Sequence, residues 1–261
     1  MNADRAGDEE SDGVAEDEST TGDSGEATTG DSGERYTFDD VSVVMGTYNE
    51  EAAIGTVLDD VERVTDGRAE VVCVDGSSDR TPEIAREKGA RVVRQEPQGY
   101  GVAVREALLT PDRAVVVTTD CDDTYPMEQL PEFLDAVNRG NDVVSGDRLY
   151  WGASAMPDLN RWGNYAFAGL ASLLMGELVH DTTTGMRAYR REVIEQIAWT
   201  ENTGLSAELL IRPLMRGYDV RELPIEYDER AGETKLDPLS GGAAIAKSIV
   251  KVCVEERGRR N

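Results

Sequence analysis

The 261-residue chain predicts an α/β fold with a mostly parallel central sheet flanked by helices. Three observations lead there. Short valine-rich runs recur along the chain, helical stretches separate them, and three of the runs end in polar or acidic clusters. Strands joined through helices require right-handed crossovers and a parallel sheet. Open sheets of this kind gather ligands at the carboxyl ends of their strands, so the polar ends mark where function is expected.

Each element has its own signal. Residues 41–45 (VSVVM) read as the first strand, and 46–51 (GTYNEE) as a loop entering a helix near 52–64. Residues 70–74 form a second strand ending at Asp75-Gly76-Ser77-Ser78-Asp79. Pro82 occupies a first helical position, where its missing N–H costs nothing, and opens a helix at 82–89. A strand at 90–94 leads through Gln98-Gly99-Tyr100-Gly101 into a helix at 101–109. The fourth strand, 113–119, empties into Asp120-Cys121-Asp122-Asp123. A helix at 127–139, a strand at 142–146, helices at 160–176 and 205–216, and a short strand at 220–227 complete the pattern.

Charge is distributed unevenly. The chain carries 52 acidic and 27 basic residues, a net charge of −25. Residues 1–35 hold 12 acids against Arg5 and Arg35, a net of −10, which leaves −15 for the remainder. This tail contains TTGDSGE at 20–26 and again at 28–34, has almost nothing apolar to bury, and is expected to be disordered. Arginines outnumber lysines 23 to 4, and an acidic, lysine-poor chain resembles haloarchaeal proteins, whose solvent screens such repulsion. No basic patch is present, which argues against a nucleic-acid partner. Cys73, Cys121 and Cys253 show no CxxC spacing, and His180 is the only histidine. Neither a disulfide framework nor a zinc ribbon is suggested, and histidine-rich zinc sites are excluded. No signal peptide is evident and no apolar run reaches the ~20 residues that span a bilayer. The chain is expected to be cytoplasmic, peripheral to the cytoplasmic face of the membrane at most.

The acids at 120–123 are the sharpest chemical signal. Like charges crowded at the exit of an apolar strand are costly unless something neutralises them. An oxygen-only set suits Mg²⁺ or Mn²⁺, which commonly bridge carboxylates to a substrate phosphate; the bland alternative is an acidic turn on an acidic protein.

In order, the motifs resemble glycosyltransferase family 2 on a GT-A fold, over about residues 40–236. Residues 43–50 (VVMGTYNE) are similar to the opening strand and loop that holds the nucleotide base. VDGSSDRT at 74–81 is similar to the family's VDDGSSDGT, with one aspartate fewer. Asp120-Cys121-Asp122 is similar to its DxD metal motif, followed by Thr124 where relatives often carry glutamine. The nearest subset is the polyprenyl-phosphate hexosyltransferases, through residues 98–101, HDTTTGMRAYR at 180–190, and residues 206–210, 216–218 and 223–227.

The resemblance implies a nucleotide-sugar donor, UDP-glucose favoured over GDP-mannose, and a dolichyl (polyprenyl) phosphate acceptor at the membrane surface. It implies a role in protein N-glycosylation. Asp120 and Asp122 would hold the metal. Thr47, Asn49, Glu50, Asp75, Ser77, Asp79, Gly99, Tyr100, Asp120, Arg187 and Glu208 would line the substrate site. Arg148 and Arg161 would grip the acceptor phosphate and count, with Asp122, as catalytic. An arginine fork suits phosphate, although a surface ion pair is the alternative for each. Glu208 is either an exposed carboxylate or a residue near the donor sugar. The expected domains are the tail at 1–35, the transferase at 36–236 and a C-terminal helix at 237–261. Residues 165–175 and 242–254 are apolar enough to lie on a membrane or to pack as core helices. Two other functions fit the same motifs: transfer to a glycan or small molecule with Glu208 as base, and non-catalytic nucleotide-sugar binding.

Overall fold

The computed structural model describes residues 35–228 and 238–260. Apart from Arg35, the acidic tail lies outside the described residues, as do 229–237. Seven strands form one sheet: β1 (Val41–Thr47), β2 (Glu70–Asp75), β3 (Arg91–Arg94), β4 (Val115–Thr118), β5 (Val143–Asp147), β6 (Arg187–Arg190) and β7 (Val220–Pro224). Their spatial order is β3-β2-β1-β4-β6-β5-β7. Six strands run in one direction, and β6 alone is antiparallel to its neighbours β4 and β5.

Among the described residues eight α-helices accompany them: α1 (Ile54–Thr65), α2 (Thr81–Glu87), α3 (Tyr100–Leu109), α4 (Leu130–Asn138), α5 (Asp158–Met175), α6 (Arg191–Gln196), α7 (Leu205–Arg216) and α8 (Pro238–Arg260). The expected helix at 127–139 begins as a 3-10 turn, Met127–Gln129, because Pro131 sits at the start of α4 and bars an earlier α-helical bond. β6 has no counterpart among the expected strands.

Alternation along the strands divides the core into two layers. Val41, Val43, Met45, Cys73, Val115 and Val117 face α1 and α4, where Ile54, Leu58, Leu130 and Phe133 are buried. Val44, Val72, Val74 and Val116 face the other way, onto Val104 and Leu108 of α3 and Leu205 and Leu209 of α7. Each fully buried aliphatic side chain contributes about 1.5–3 kcal/mol, which is why runs apolar on both faces become central strands.

A third cluster buries one face of each of the two apolar segments. Ala171 of α5, Ala207, Ile211 and Met215 of α7, and Ile249, Val252 and Cys253 of α8 are buried together, with Phe167, Leu170 and Leu174 beside them. One face of each segment, 165–175 and 242–254, therefore packs within the protein, while Tyr165, Leu173, Val250 and Val254 remain exposed. Ionic contacts fasten the same helices: Arg212 reaches Glu208 (2.6 Å) and Glu256 (2.5 Å), and Arg216 reaches Glu256 (2.7 Å).

Candidate active site

The carboxyl ends of β2, β1 and β4 lie side by side, and register determines what meets there. Thr47 pairs with Asp75 across β1–β2, and Asp75 with Arg94 across β2–β3. Asp75 is fully buried and accepts from the Thr47 hydroxyl (2.8 Å), the Ser77 hydroxyl (2.6 Å) and the Ser77 amide (3.2 Å). Arg94 closes the remaining side of Asp75 and donates to the Ser77 carbonyl at 2.8 Å. A carboxylate enclosed this way shapes the loop, with its acceptor positions taken up by the protein itself.

The β1 and β2 loops are stitched together. The Asn49 amide donates to Ser77 Oγ (2.8 Å), and Asn49 Oδ1 accepts from the Ser78 amide (2.9 Å). Asn49 has φ +52°, a left-handed conformation that asparagine tolerates better than most residues. The Glu50 amide reaches Thr81 Oγ1 (2.8 Å), and the Glu51 amide reaches Asp79 (3.3 Å). Desolvation opposes ionisation of Asp79, but bonds from Thr81 and the Glu51 amide prevail and hold its carboxyl below the ordinary value.

At the end of β4, Asp120 Oδ1 accepts from the Tyr100 hydroxyl at 2.9 Å. Gly185 lies beneath that carboxylate, so close that a Cβ there would fall 2.5 Å from Asp120 Oδ2. Asp122 Oδ1 accepts from Thr124 Oγ1 (2.6 Å) and the Thr124 amide (3.3 Å). Thr124 thus orients the second carboxylate rather than adding a carboxamide ligand. Asp123 turns away at φ +63°, and burial followed by the charges of Asp60, Asp228, Asp122 and Glu128 raises its pKa.

Among the described residues, no three His, Cys, Asp or Glu side chains form a metal cage. Two carboxylates over a glycine floor do suit a hard divalent cation that completes its shell with water and substrate phosphate oxygens. The donor chemistry at Asp120 and Asp122 therefore fits Mg²⁺ or Mn²⁺.

Tyr100 opens α3 after Gly99, whose φ of +104° only glycine adopts readily. Asn202, absent from the sequence expectations, clamps this turn: its Oδ1 accepts from the Gly101 amide (2.9 Å) and its Nδ2 donates to the Gln98 carbonyl (3.0 Å).

The arginines diverge from expectation. Arg148 is buried and forks onto Asp181 through Nε (2.7 Å) and an Nη (2.9 Å), with a further bond to Thr183 Oγ1 (2.8 Å). Its bidentate edge is thus engaged by protein. Burial works against the charge, yet the Asp181 carboxylate holds the Arg148 pKa well above its usual value. Burial raises Asp181 in turn, but Arg148 outweighs it and the carboxyl lies below its ordinary value. Arg161 pairs with the exposed Asp158 on its own helix, as a surface arginine would. Arg187 is fully buried between Ser145 Oγ (2.9 Å) and the Thr182 carbonyl (3.1 Å), beyond direct reach of a substrate in this arrangement.

Glu208 is not the exposed carboxylate that was one of the alternatives for it. It is fully buried and accepts from Arg212 Nε (2.6 Å), the Thr200 amide (3.0 Å) and the Glu201 amide (2.9 Å). It is neither exposed nor available as a base. The i,i+4 spacing to Arg212 was the signal for this pair. Tyr125, Asp181, Thr183 and Arg94 carried no role among the sequence expectations; Asp181 and Thr183 lie within the 180–190 motif, whereas Arg94 ends the expected strand at 90–94, at the edge of the sheet.

Residues 42–198 match the model of the family described as glycosyl transferase family 2. A dolichyl-phosphate hexose transferase of Haloferax volcanii is 76% identical over 224 residues, covering 86% of this chain and 98% of that protein. A polyprenol monophosphomannose synthase of Mycolicibacterium smegmatis is 30% identical, covering 80% of this chain and 84% of its own. Among solved structures, glucosyl-3-phosphoglycerate synthase from Mycobacterium tuberculosis, in complex with Mn²⁺, UDP-glucose and glycerol 3-phosphate, superposes with a TM-score of 0.67 at 25% identity, covering 84% and 80% of the two chains. With this sheet order, the acidic exit of β4 and these relatives, the chain belongs to glycosyltransferase family 2 and is a glycosyltransferase of the GT-A fold.

Proposed function

We propose that the protein transfers a hexose, with inversion, from a nucleotide sugar to dolichyl phosphate, in a divalent-metal-dependent reaction that serves protein N-glycosylation. The observation that carries this reading is the 76% identity to the Haloferax volcanii transferase across nearly all of that protein. UDP-glucose is the favoured donor, with GDP-mannose the second choice.

An acceptor phosphate oxygen attacks the anomeric carbon. The bond from that carbon to the diphosphate breaks, and the nucleoside diphosphate departs with the electron pair. The phosphate is already ionised at neutral pH, so the site needs no strong base. Mg²⁺ or Mn²⁺, when bound by Asp120 and Asp122, supplies the positive charge that offsets the leaving diphosphate. Tyr100 and Thr124 fix the directions of those two carboxylates before substrate arrives. Arg148, paired with Asp181, acts on the acceptor side through its fixed position rather than as a free cation, and Arg161 on α5 exchanges Asp158 for phosphate.

Transfer to a glycan or small molecule would need a carboxylate base, and the burial of Glu208 against Arg212 weighs against its candidate. Radiolabelled UDP-glucose and GDP-mannose, offered with dolichyl phosphate and Mn²⁺ in high salt, test the reading. Label should enter the organic phase with the wild type and fall by at least about 100-fold in Asp122→Ala. Absence of lipid-linked label from either donor would defeat the proposal.

The acceptor places the protein at a membrane surface. Among the described residues, no helix is long and apolar enough to cross one. Support for surface binding comes from Tyr150, Trp151, Leu159 and Trp162, each 60% exposed or more, near the arginines of the site. Aromatic rings of this type favour the lipid–water boundary. Trp151→Ala combined with Trp162→Ala should abolish flotation with archaeal-lipid vesicles while nucleotide binding persists; flotation equal to wild type would refute surface docking through this segment.

A further inference from the structure

Tyr125 follows the acidic motif, is almost fully buried, and touches both halves of the site. Its hydroxyl oxygen accepts the Gly185 amide at 2.7 Å and faces an Nη of Arg148 at 3.4 Å. Its ring meets Tyr227 edge-on at 5.8 Å, and the Arg148 guanidinium lies over the face of that second ring at 5.4 Å. The Gly185 peptide is also held from its other end, where its carbonyl accepts from Thr118 Oγ1 at 2.7 Å. Gly185 is the floor under the Asp120 carboxylate. One phenol oxygen therefore touches both the support of the Asp120 carboxylate and the Arg148 guanidinium, adding to the hold that Asp181 and Thr183 have on that arginine. That oxygen accepts from two donors, the Gly185 amide and the Arg148 Nη. Burial, the foremost cause, pushes the phenol well above its ordinary pKa, so it stays a neutral hydroxyl throughout the working pH range.

We propose that Tyr125 is a positioning residue that joins the donor and acceptor half-sites, so that the loss of its hydroxyl loosens both together. The acceptor side of this inference rests on the proposed transfer to dolichyl phosphate; the donor side stands without it. Tyr125→Phe keeps the ring against Tyr227 and deletes only the oxygen, leaving the Gly185 amide and one Arg148 nitrogen without that partner. Thr118→Val releases the Gly185 peptide from the opposite end and leaves Arg148 undisturbed.

The test compares both variants with wild type by calorimetry of UDP and GDP binding in the presence of Mn²⁺, and by KM for dolichyl phosphate, at a temperature well below each melting point. Tyr125→Phe should weaken Mn²⁺-dependent nucleotide binding and raise the acceptor KM, each by about 3- to 10-fold, the scale of one lost hydrogen bond. Thr118→Val should weaken nucleotide binding alone. A lowered melting temperature with both constants unchanged would reduce Tyr125 to a packing residue and overturn the inference. So would a shift confined to one half-site in Tyr125→Phe, or a raised acceptor KM in Thr118→Val. If wild type binds nucleotide but loads no dolichyl phosphate, the proposed function fails separately, and unchanged nucleotide affinity in Tyr125→Phe then decides against the joint. Should Tyr125→Phe fail to fold, Thr118→Val decides by the same split.

Discussion

Asp147, Asp181 and Glu222 show how single carboxylates beside this site differ in what they contribute. Asp181 is matched by Arg148, whereas among the described residues Asp147 has the His180 ring, at 4.0 Å, in place of an arginine or lysine. Burial first, and then the charges of Asp181 and Glu222, raise the Asp147 pKa; bonds from the Leu149 amide and the proximity of His180 oppose this. A carboxyl whose pKa rises on folding destabilises the native state when ionised. That cost is present at pH 7 and disappears as the pH falls below the ordinary carboxylate value of about 4. Asn in place of Asp147 can still accept from the Leu149 and Tyr150 amides, which reach Oδ1 at 2.9 and 3.1 Å. Asp147→Asn should therefore be more stable than wild type at pH 7 and converge with it near pH 4. Urea denaturation across that range at constant salt provides the check, and a variant less stable at pH 7 would show that the charge is compensated. Asp181 has the opposite sign: its depressed pKa stabilises the fold above about pH 4, and that contribution is lost as acid protonates it.

At the scale of elements, the turn before α3 is a place where two segments approach closely. A Cβ on Gly101 would drive into the Asn202 backbone, and one on Gly99 would lie 2.7 Å from its side chain. Gly101→Ala must push the 98–101 loop from the 200–204 loop and carry the Tyr100 hydroxyl from Asp120. Overpacking of this kind costs about 1–3 kcal/mol. The expected result is a lower melting temperature together with weaker Mn²⁺-dependent nucleotide binding; retention of both would mean that the loops yield without moving Tyr100. This same region shows what a linear reading misses. Strands β1, β2, β4 and β5 announce themselves because their apolar runs are buried on both faces. The Asp120–Asp122 pair is legible because it ends one of them. β6 is four residues, Arg-Ala-Tyr-Arg, with charges at both ends, and becomes a strand only through its neighbours β4 and β5. The partners that redefine Arg148 and Gly101, namely Asp181 and Asn202, lie 33 and 101 residues away. No local periodicity encodes such pairings, so the residue types at the site could be read but not their engagements.

For the whole molecule, two electrostatic effects compete with opposite salt dependence. Ion pairs such as Arg212 with Glu208 and Glu256 favour the fold and weaken on screening, although burial shields this cluster from salt. Repulsion among unmatched carboxylates opposes the fold and is relieved by screening. Simple counting decides between them: 52 acids against 27 basic residues leave at least 25 acids with no cation of their own. The repulsion is concentrated as well as numerous, since a cavity of about 900 Å³ is lined among the described residues by Asp123, Glu132, Glu226 and Asp228 together with Asp60 and Glu128, which share the one cation Arg63. Raising salt from 0.1 M to 1 M shortens the Debye length from about 10 Å to about 3 Å, less than the spacing of most surface charges. The melting temperature should therefore climb with KCl across that range and beyond, and an uncharged osmolyte at equal osmolality should reproduce only part of the rise. Asp228→Asn, which thins the charge around that cavity, should flatten the climb. A melting temperature that stays level or falls as KCl increases would mean that surface ion pairs outweigh repulsion, and that the acidic excess is stabilised by contacts rather than by the solvent.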